Sequence, residues 1–260
     1  MASLPEIVLV HGAWHTPTNY TSYTTDLKKA GFTVHTPHLP SCNGTRPPTA
    51  TLPEDVRHVR SVVQNLVEAN KRVIMIMHSY GGLVGISAVQ ELDLPTRKAA
   101  GQPGGVIHLL YLCAYMLVPG ATMWSIVEET GADKMWAQLV DEDEDGTFFP
   151  LDPGMLFFSG LEESAFVEEV VSTLVRFPVK ALREGATGDA WRRVPVTFVK
   201  TLGDFAVPVA AQDIMLERVR GEGGVVRVEE FDTHHSPWVS MPEEVVRVAV
   251  QAAGDERNPE

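Results

Sequence analysis

Short runs of β-branched and aliphatic residues recur along the chain at Ile7–Val10, Phe32–Thr36, Arg72–Met77, Val106–Leu112, Val194–Lys200 and Val225–Phe231. Each is too short for a helix and is bounded by glycine, proline or polar residues, which predicts six strands. Helical spacing lies between them, clearest over Leu52–Asn70, where Val56, Val59, Val63, Leu66 and Val67 recur at steps of three and four. Pro53 in the first turn and the acidic pair Glu54 and Asp55 beside it mark the start of that helix. Strand and helix in alternation predict an α/β fold, a mostly parallel sheet flanked by crossover helices. The alternation breaks after Cys113 and resumes at Val194. The chain therefore divides into a core, residues 1–113 and 194–260, and an insertion, residues 114–193, expected to form a helical cap. The insertion holds 13 of the 24 Phe, Trp and Met residues of the chain, more than its length accounts for. Such side chains either give a small lid its own core or roof a pocket, and Met123, Trp124, Trp136, Phe157 and Phe158 are the candidates for the second use.

Charge narrows the range of partners. With 34 acidic against 21 basic residues, a net charge of −13 repels phosphate backbones and anionic lipid, so neither nucleic acid nor a membrane surface is an expected partner. Two cysteines, Cys42 and Cys113, cannot make a disulfide framework and fit a reducing cytosol. Residues Met1–Val10 lack the basic start and long apolar centre of a signal peptide. The longest apolar stretch, Val106–Val118, contains His108 and stops at Pro119, short of the ~18 residues a spanning helix needs. A cytoplasmic location is the expectation. The acidic run Asp141–Asp145, followed by Gly146, is expected to be a solvated turn.

Four segments carry candidate chemistry, each following a predicted strand. Arg72–Met77 leads into His78, Ser79, Tyr80, Gly81 and Gly82 and then into the helical pattern Leu83, Val84, Ile86 and Val89. A serine at such a turn stands clear of the sheet edge, and the amides opening the helix offer positive potential to a developing oxyanion. In isolation a Ser-x-Gly reads as a turn or a helix cap, and the segments that follow change that reading. Asp204 follows Val194–Lys200, and His234 and His235 follow Val225–Phe231, which gives the order Ser79, Asp204, His235. That order belongs to one hydrolase architecture and not to the chymotrypsin or subtilisin types. Asp213 and Glu217 are weaker rivals to Asp204. After the first strand, His11, Gly12, Ala13 and Trp14 form a small-residue loop that can aim a backbone N–H at the serine, or can be a plain strand-end turn. His11 and His15 have no carboxylate partner in a zinc-type pattern, so no metal is expected, and no cofactor motif is present.

These segments resemble the α/β-hydrolase superfamily, and within it the group of plant methyl-ester esterases and hydroxynitrile lyases with its microbial relatives. The resemblance runs from HGAWH at the start through VIMIMHSYGG, LLYLCAYM, FFSG and LVRFP to TLGDFAVP and HHSPWVSMPEEV at the end. It implies an α/β-hydrolase fold with Ser79 as nucleophile, His235 of the H-S-P match as base, Asp204 as the acid, and the amides of Ala13 and Tyr80 as oxyanion donors. His234 then reads as a supporting or exposed residue. Gly12, Trp14, His78 and Trp238 join the five cap residues as expected pocket lining. The superfamily elbow usually reads G-x-S-x-G, whereas Met77 stands at the first glycine here, and a methionine there suggests a slightly altered turn. The lyases of the group resemble one another in a threonine in the first loop and a lysine after the catalytic histidine. Gly12 and Ser236 occupy those places, so cyanohydrin cleavage is not expected. The leading expectation is hydrolysis of a carboxyl ester or lactone of a small hydrophobic metabolite. The alternatives are a lyase, isomerase or cyclase on the same fold, and a ligand-binding receptor. The oligomeric state, a homodimer included, stays open.

Overall fold

The central strands bury side chains on both faces of one sheet, which is why they read as unbroken apolar runs and not as alternating ones. In the computed structural model, which describes residues 4–162 and 164–254, the first half of the chain builds β1 (Glu6–Val10), α1 (Thr21–Lys29), β2 (Val34–His35), α2 (Leu52–Glu68), β3 (Arg72–His78), α3 (Gly81–Ala88), α4 (Leu94–Ala99) and β4 (Gly105–Leu112). The insertion follows with α5 (Met123–Glu129), α6 (Trp136–Leu139), β5 (Val140–Glu142), β6 (Thr147–Pro150), α7 (Pro153–Phe158), α8 (Ala165–Ser172) and β7 (Phe177–Pro178). The chain then returns through β8 (Val196–Thr201), α9 (Val209–Gly221), β9 (Val226–Phe231), α10 (Pro237–Ser240) and α11 (Pro242–Gly254).

The main sheet has the order β2-β1-β3-β4-β8-β9 with every pairing parallel. The expected strand Phe32–Thr36 shrinks to two residues at the sheet edge, where Pro37 follows and has no amide to extend the ladder. Ile7, Leu9, Ile74, Ile76, Leu110 and Leu112 pack in one cluster with Leu27 of α1 and Val245 and Val248 of α11. Val8, Val10, Met75, Met77, Leu109 and Tyr111 pack on the other face with Val59, Val63 and Val67 of α2 and Met215 and Val219 of α9. Parallel strands place the loops after β1, β3, β8 and β9 along one edge, the carboxyl edge at which α/β sheets gather reactive groups.

Residues 114–193 contain helices and a small antiparallel sheet β5-β6-β7. Strands of two to four residues are too short to announce a period in the sequence. The acidic run is not simply a solvated turn: Asp141 lies in β5 and pairs with Arg176 at 2.8 Å, and Asp143 and Asp145 pair with Arg46 of the core at 2.5 and 2.6 Å. Among the described residues no helix is long and apolar enough to cross a membrane.

Candidate active site

The turn from β3 into α3 holds Ser79 at φ 53°, a left-handed conformation that a serine adopts only where the surroundings impose it. Its carbonyl accepts from the amides of Gly82 and Tyr115, both at 3.0 Å. Gly81 must be glycine, because a Cβ there would lie 2.3 Å from the Val10 carbonyl oxygen and 2.8 Å from that of His11. Met77 is accommodated one turn further along α3. A Cβ at Gly85 would stand 2.3 Å from the Met77 sulfur, so the small residue the elbow needs has moved from the strand to the helix. With Met77 in this position, Ser79 is left-handed and α3 starts at Gly81.

Asp204 and His235 meet at the ends of β8 and β9. The Asp204 carboxylate accepts from His235 Nδ1 at 2.8 Å, Thr201 Oγ1 at 2.7 Å, and the amides of Ala206 and Val207 at 2.9 and 2.7 Å. The buried Gln212 of α9 holds this loop, accepting from the Thr201 amide and donating to the carbonyls of Thr201 and Val207. Gln212 carried no signal in the sequence. Since Nδ1 donates to the carboxylate, His235 keeps its lone pair on Nε2, which is buried and has no hydrogen-bond partner among the described residues. His234 turns away from the pair: its Nδ1 accepts from the Ser236 amide and its ring packs on Phe158. Asp213 pairs with Lys200 at 2.6 Å. Neither the Ala13 amide of the first loop nor the Tyr80 amide at the head of α3 donates to another described residue, and Gly12 lies so close that a Cβ would stand 3.0 Å from Ser79 Cβ. His78, Cys113 and His235 place ligand-type atoms within 4.8 Å of one another. Both nitrogens of His78 are already engaged, by Tyr20 and by the His235 carbonyl, so this cluster offers a metal no complete donor set.

A cavity of about 140 Å³ reaches Ser79 and has no charged residue in its wall. Of the nine residues named from the sequence, Trp14, Met123 and Trp136 line it, together with Tyr115, Ile126, Leu156, Leu182 and Phe205, which the sequence did not single out. The other six are not in the wall of this cavity. Gly12 and His78 lie beneath the serine. Trp238 stacks on Tyr20 in the core at 4.6 Å. Trp124 donates to Glu128 with Arg183 over its ring. Phe157 packs against His15 and Trp14, and Phe158 against Phe166 and His234. Composition alone cannot separate bulk spent on packing from bulk that lines a pocket.

Burial leaves several of these imidazoles neutral. It pushes His11 down to about 3, His15 down to about 4, and His78 well below the usual histidine range. From the unfolded value near 6.5 downwards, the unfolded chain takes up protons that the folded chain refuses. Their contribution to stability is full above pH ~6.5 and falls on acidification, each by up to about 1.4 kcal/mol per pH unit. Asp55 acts in the opposite sense, since burial raises its carboxyl to about 6 and the folded state holds the extra proton between ~4 and that value. With three histidines against one carboxyl, Tm is expected to drop by more than about 5 °C between pH 7 and pH 4.5. A Tm flat across that range, measured by calorimetry, contradicts this assignment.

The comparisons agree with the geometry of the sheet. A model of the alpha/beta hydrolase family matches residues 7–248. An alpha/beta hydrolase of Aspergillus novofumigatus is 29% identical over 256 residues, covering 96% of this chain and 97% of the relative. A pyrethroid hydrolase of Sphingobium wenxiniae is 24% identical over 273 residues, covering 96% and 88%. Among solved structures, a pyrethroid hydrolase from Sphingobium faniae superposes with a TM-score of 0.74 at 22% identity, covering 97% of this chain and 98% of the other.

Proposed function

Because the chain belongs to the alpha/beta hydrolase family, we propose that it is a serine hydrolase cleaving a carboxyl ester or lactone of a small hydrophobic metabolite through an acyl-enzyme. The observation that carries this reading is the His235–Asp204 contact, which leaves the Nε2 lone pair of His235 unused, together with a serine held left-handed at the cavity. In this mechanism His235 Nε2 takes the Ser79 proton as Oγ attacks the carbonyl carbon. The Ala13 and Tyr80 amides receive the oxyanion, and Asp204 stabilises the imidazolium. His235 returns the proton to the leaving alkoxide, then activates the water that releases the acid and frees Ser79. Residues 114–193 serve as the lid and residues 1–113 and 194–260 as the catalytic core. An uncharged wall favours a neutral substrate, because a carboxylate buried there meets no cation. The relatives named for pyrethroid hydrolysis support an apolar substrate of this kind.

The test is mass spectrometry of the intact protein after a fluorophosphonate probe. One adduct on the wild type, absent from Ser79→Ala and His235→Ala, is the expected result. A folded wild type that takes no adduct rules the mechanism out.

A further inference from the structure

Close to Ser79 the buried rings of His11, Tyr20 and His78 have every polar atom hydrogen-bonded, to one another or to the backbone, where a packed core needs no polar atoms at all. The direction of each hydrogen bond follows from partners that can play only one part. The carbonyl of His235 only accepts, so His78 donates to it from Nε2–H at 2.9 Å and keeps its lone pair on Nδ1. Nδ1 therefore accepts the hydroxyl proton of Tyr20 at 2.6 Å, and the Tyr20 oxygen accepts the amide of Gly12 at 3.0 Å. On the other side of the loop, the Leu39 amide only donates, to His11 Nε2 at 3.0 Å. The proton of His11 is then on Nδ1, which donates to the Gly12 carbonyl at 2.9 Å. The low proton affinity that burial gives His11 and His78 agrees with both rings being neutral.

The Gly12 carbonyl and the Ala13 N–H belong to one planar trans peptide and point in opposite directions. A side chain that fixes the carbonyl therefore aims the amide. The two loops joined in this way leave β1 and β9, which β3, β4 and β8 separate in the sheet, so no sheet hydrogen bond keeps them in register.

We propose that His11, Tyr20 and His78 are positioning residues: His11 aims the Ala13 amide, and Tyr20 with His78 ties that loop to the backbone of His235. The inference rests on the roles of Ala13 and His235 given above. Tyr20→Phe removes the hydroxyl and keeps the ring stacked on Trp238. It is expected to lower kcat on p-nitrophenyl butyrate by on the order of 10- to 100-fold, with KM within about twofold of wild type. His78→Gln retains an acceptor for Tyr20 and a donor for His235, so it recovers part of the kcat that His78→Leu loses. A purely structural role makes both variants follow their Tm instead. Imidazole ¹⁵N spectra of the wild type give a readout that needs no substrate: Nε2–H on His78 and Nδ1–H on His11 from pH 5 to 8 are expected, and the opposite tautomers overturn the relay. A probe-labelled wild type with Tyr20→Phe within about twofold in kcat sinks the relay alone. A wild type that neither takes the probe nor turns over ester sinks the hydrolase reading and the role of Ala13 with it.

Discussion

Ser79→Ala is expected to lower kcat/KM for an ester substrate by on the order of 10⁴-fold or more, with the fold and the cavity intact. The size follows from the mechanism: without Oγ no acyl-enzyme forms, and the covalent route is closed. What survives comes from the oxyanion amides and from binding. Alanine accepts the backbone at position 79 no worse than serine does, and the contacts that set the turn are made by main-chain atoms, the Gly82 and Tyr115 amides on the Ser79 carbonyl. Loss of activity with unchanged Tm is therefore the expected pair of observations. Steady-state assays of purified variant, checked by probe labelling for traces of wild type, decide it, and activity within about tenfold of wild type removes Ser79 from the chemistry.

Asp204→Asn is expected to cost on the order of 10³- to 10⁴-fold in kcat, nearly as much, for a reason of hydrogen-bond polarity. One carboxylate oxygen takes the amides of Ala206 and Val207, and the other takes Thr201 Oγ1 and His235 Nδ1. All four partners donate. An asparagine keeps its oxygen on the two backbone amides and turns its NH₂ toward His235, whose Nδ1 must then accept. The imidazole proton moves to Nε2, and the lone pair needed to take the serine proton is gone. The charge that stabilised the imidazolium is lost as well. The measurements are kcat and the tautomer of His235 by ¹⁵N NMR. A fully active variant with Nδ1–H retained contradicts the role of Asp204.

Both predictions rest on residues that the sequence brought forward by position. Each follows a predicted strand, and parallel strands deliver such loops to one edge, so the order Ser79, Asp204, His235 is legible in the sequence. The contact of His235, and not His234, with Asp204 was not readable from spacing, because neighbouring side chains point to different sides and only the packing of the loop chooses. The pocket wall was less legible still. Trp124, Trp136, Phe157 and Phe158 look alike in a sequence, yet Trp136 faces the cavity while the other three are spent on Glu128, His15 and Phe166.

Met77 shows the limit most clearly. By itself it signals crowding at the elbow; the relief comes from Gly85, eight residues along the chain and in contact only once α3 packs back on β3. The sequence alone determined the alternation of strand and helix, the insertion between β4 and β8, and the three residue types at the sheet edge, because these depend on local periodicity and chain order. Tertiary structure decided the partners of each buried polar atom, from the four donors on Asp204 to the chain joining Gly12 with His235. Those partners lie up to 157 residues apart in the chain, and a hydrogen bond is set by distance and direction in space, to which local pattern is blind.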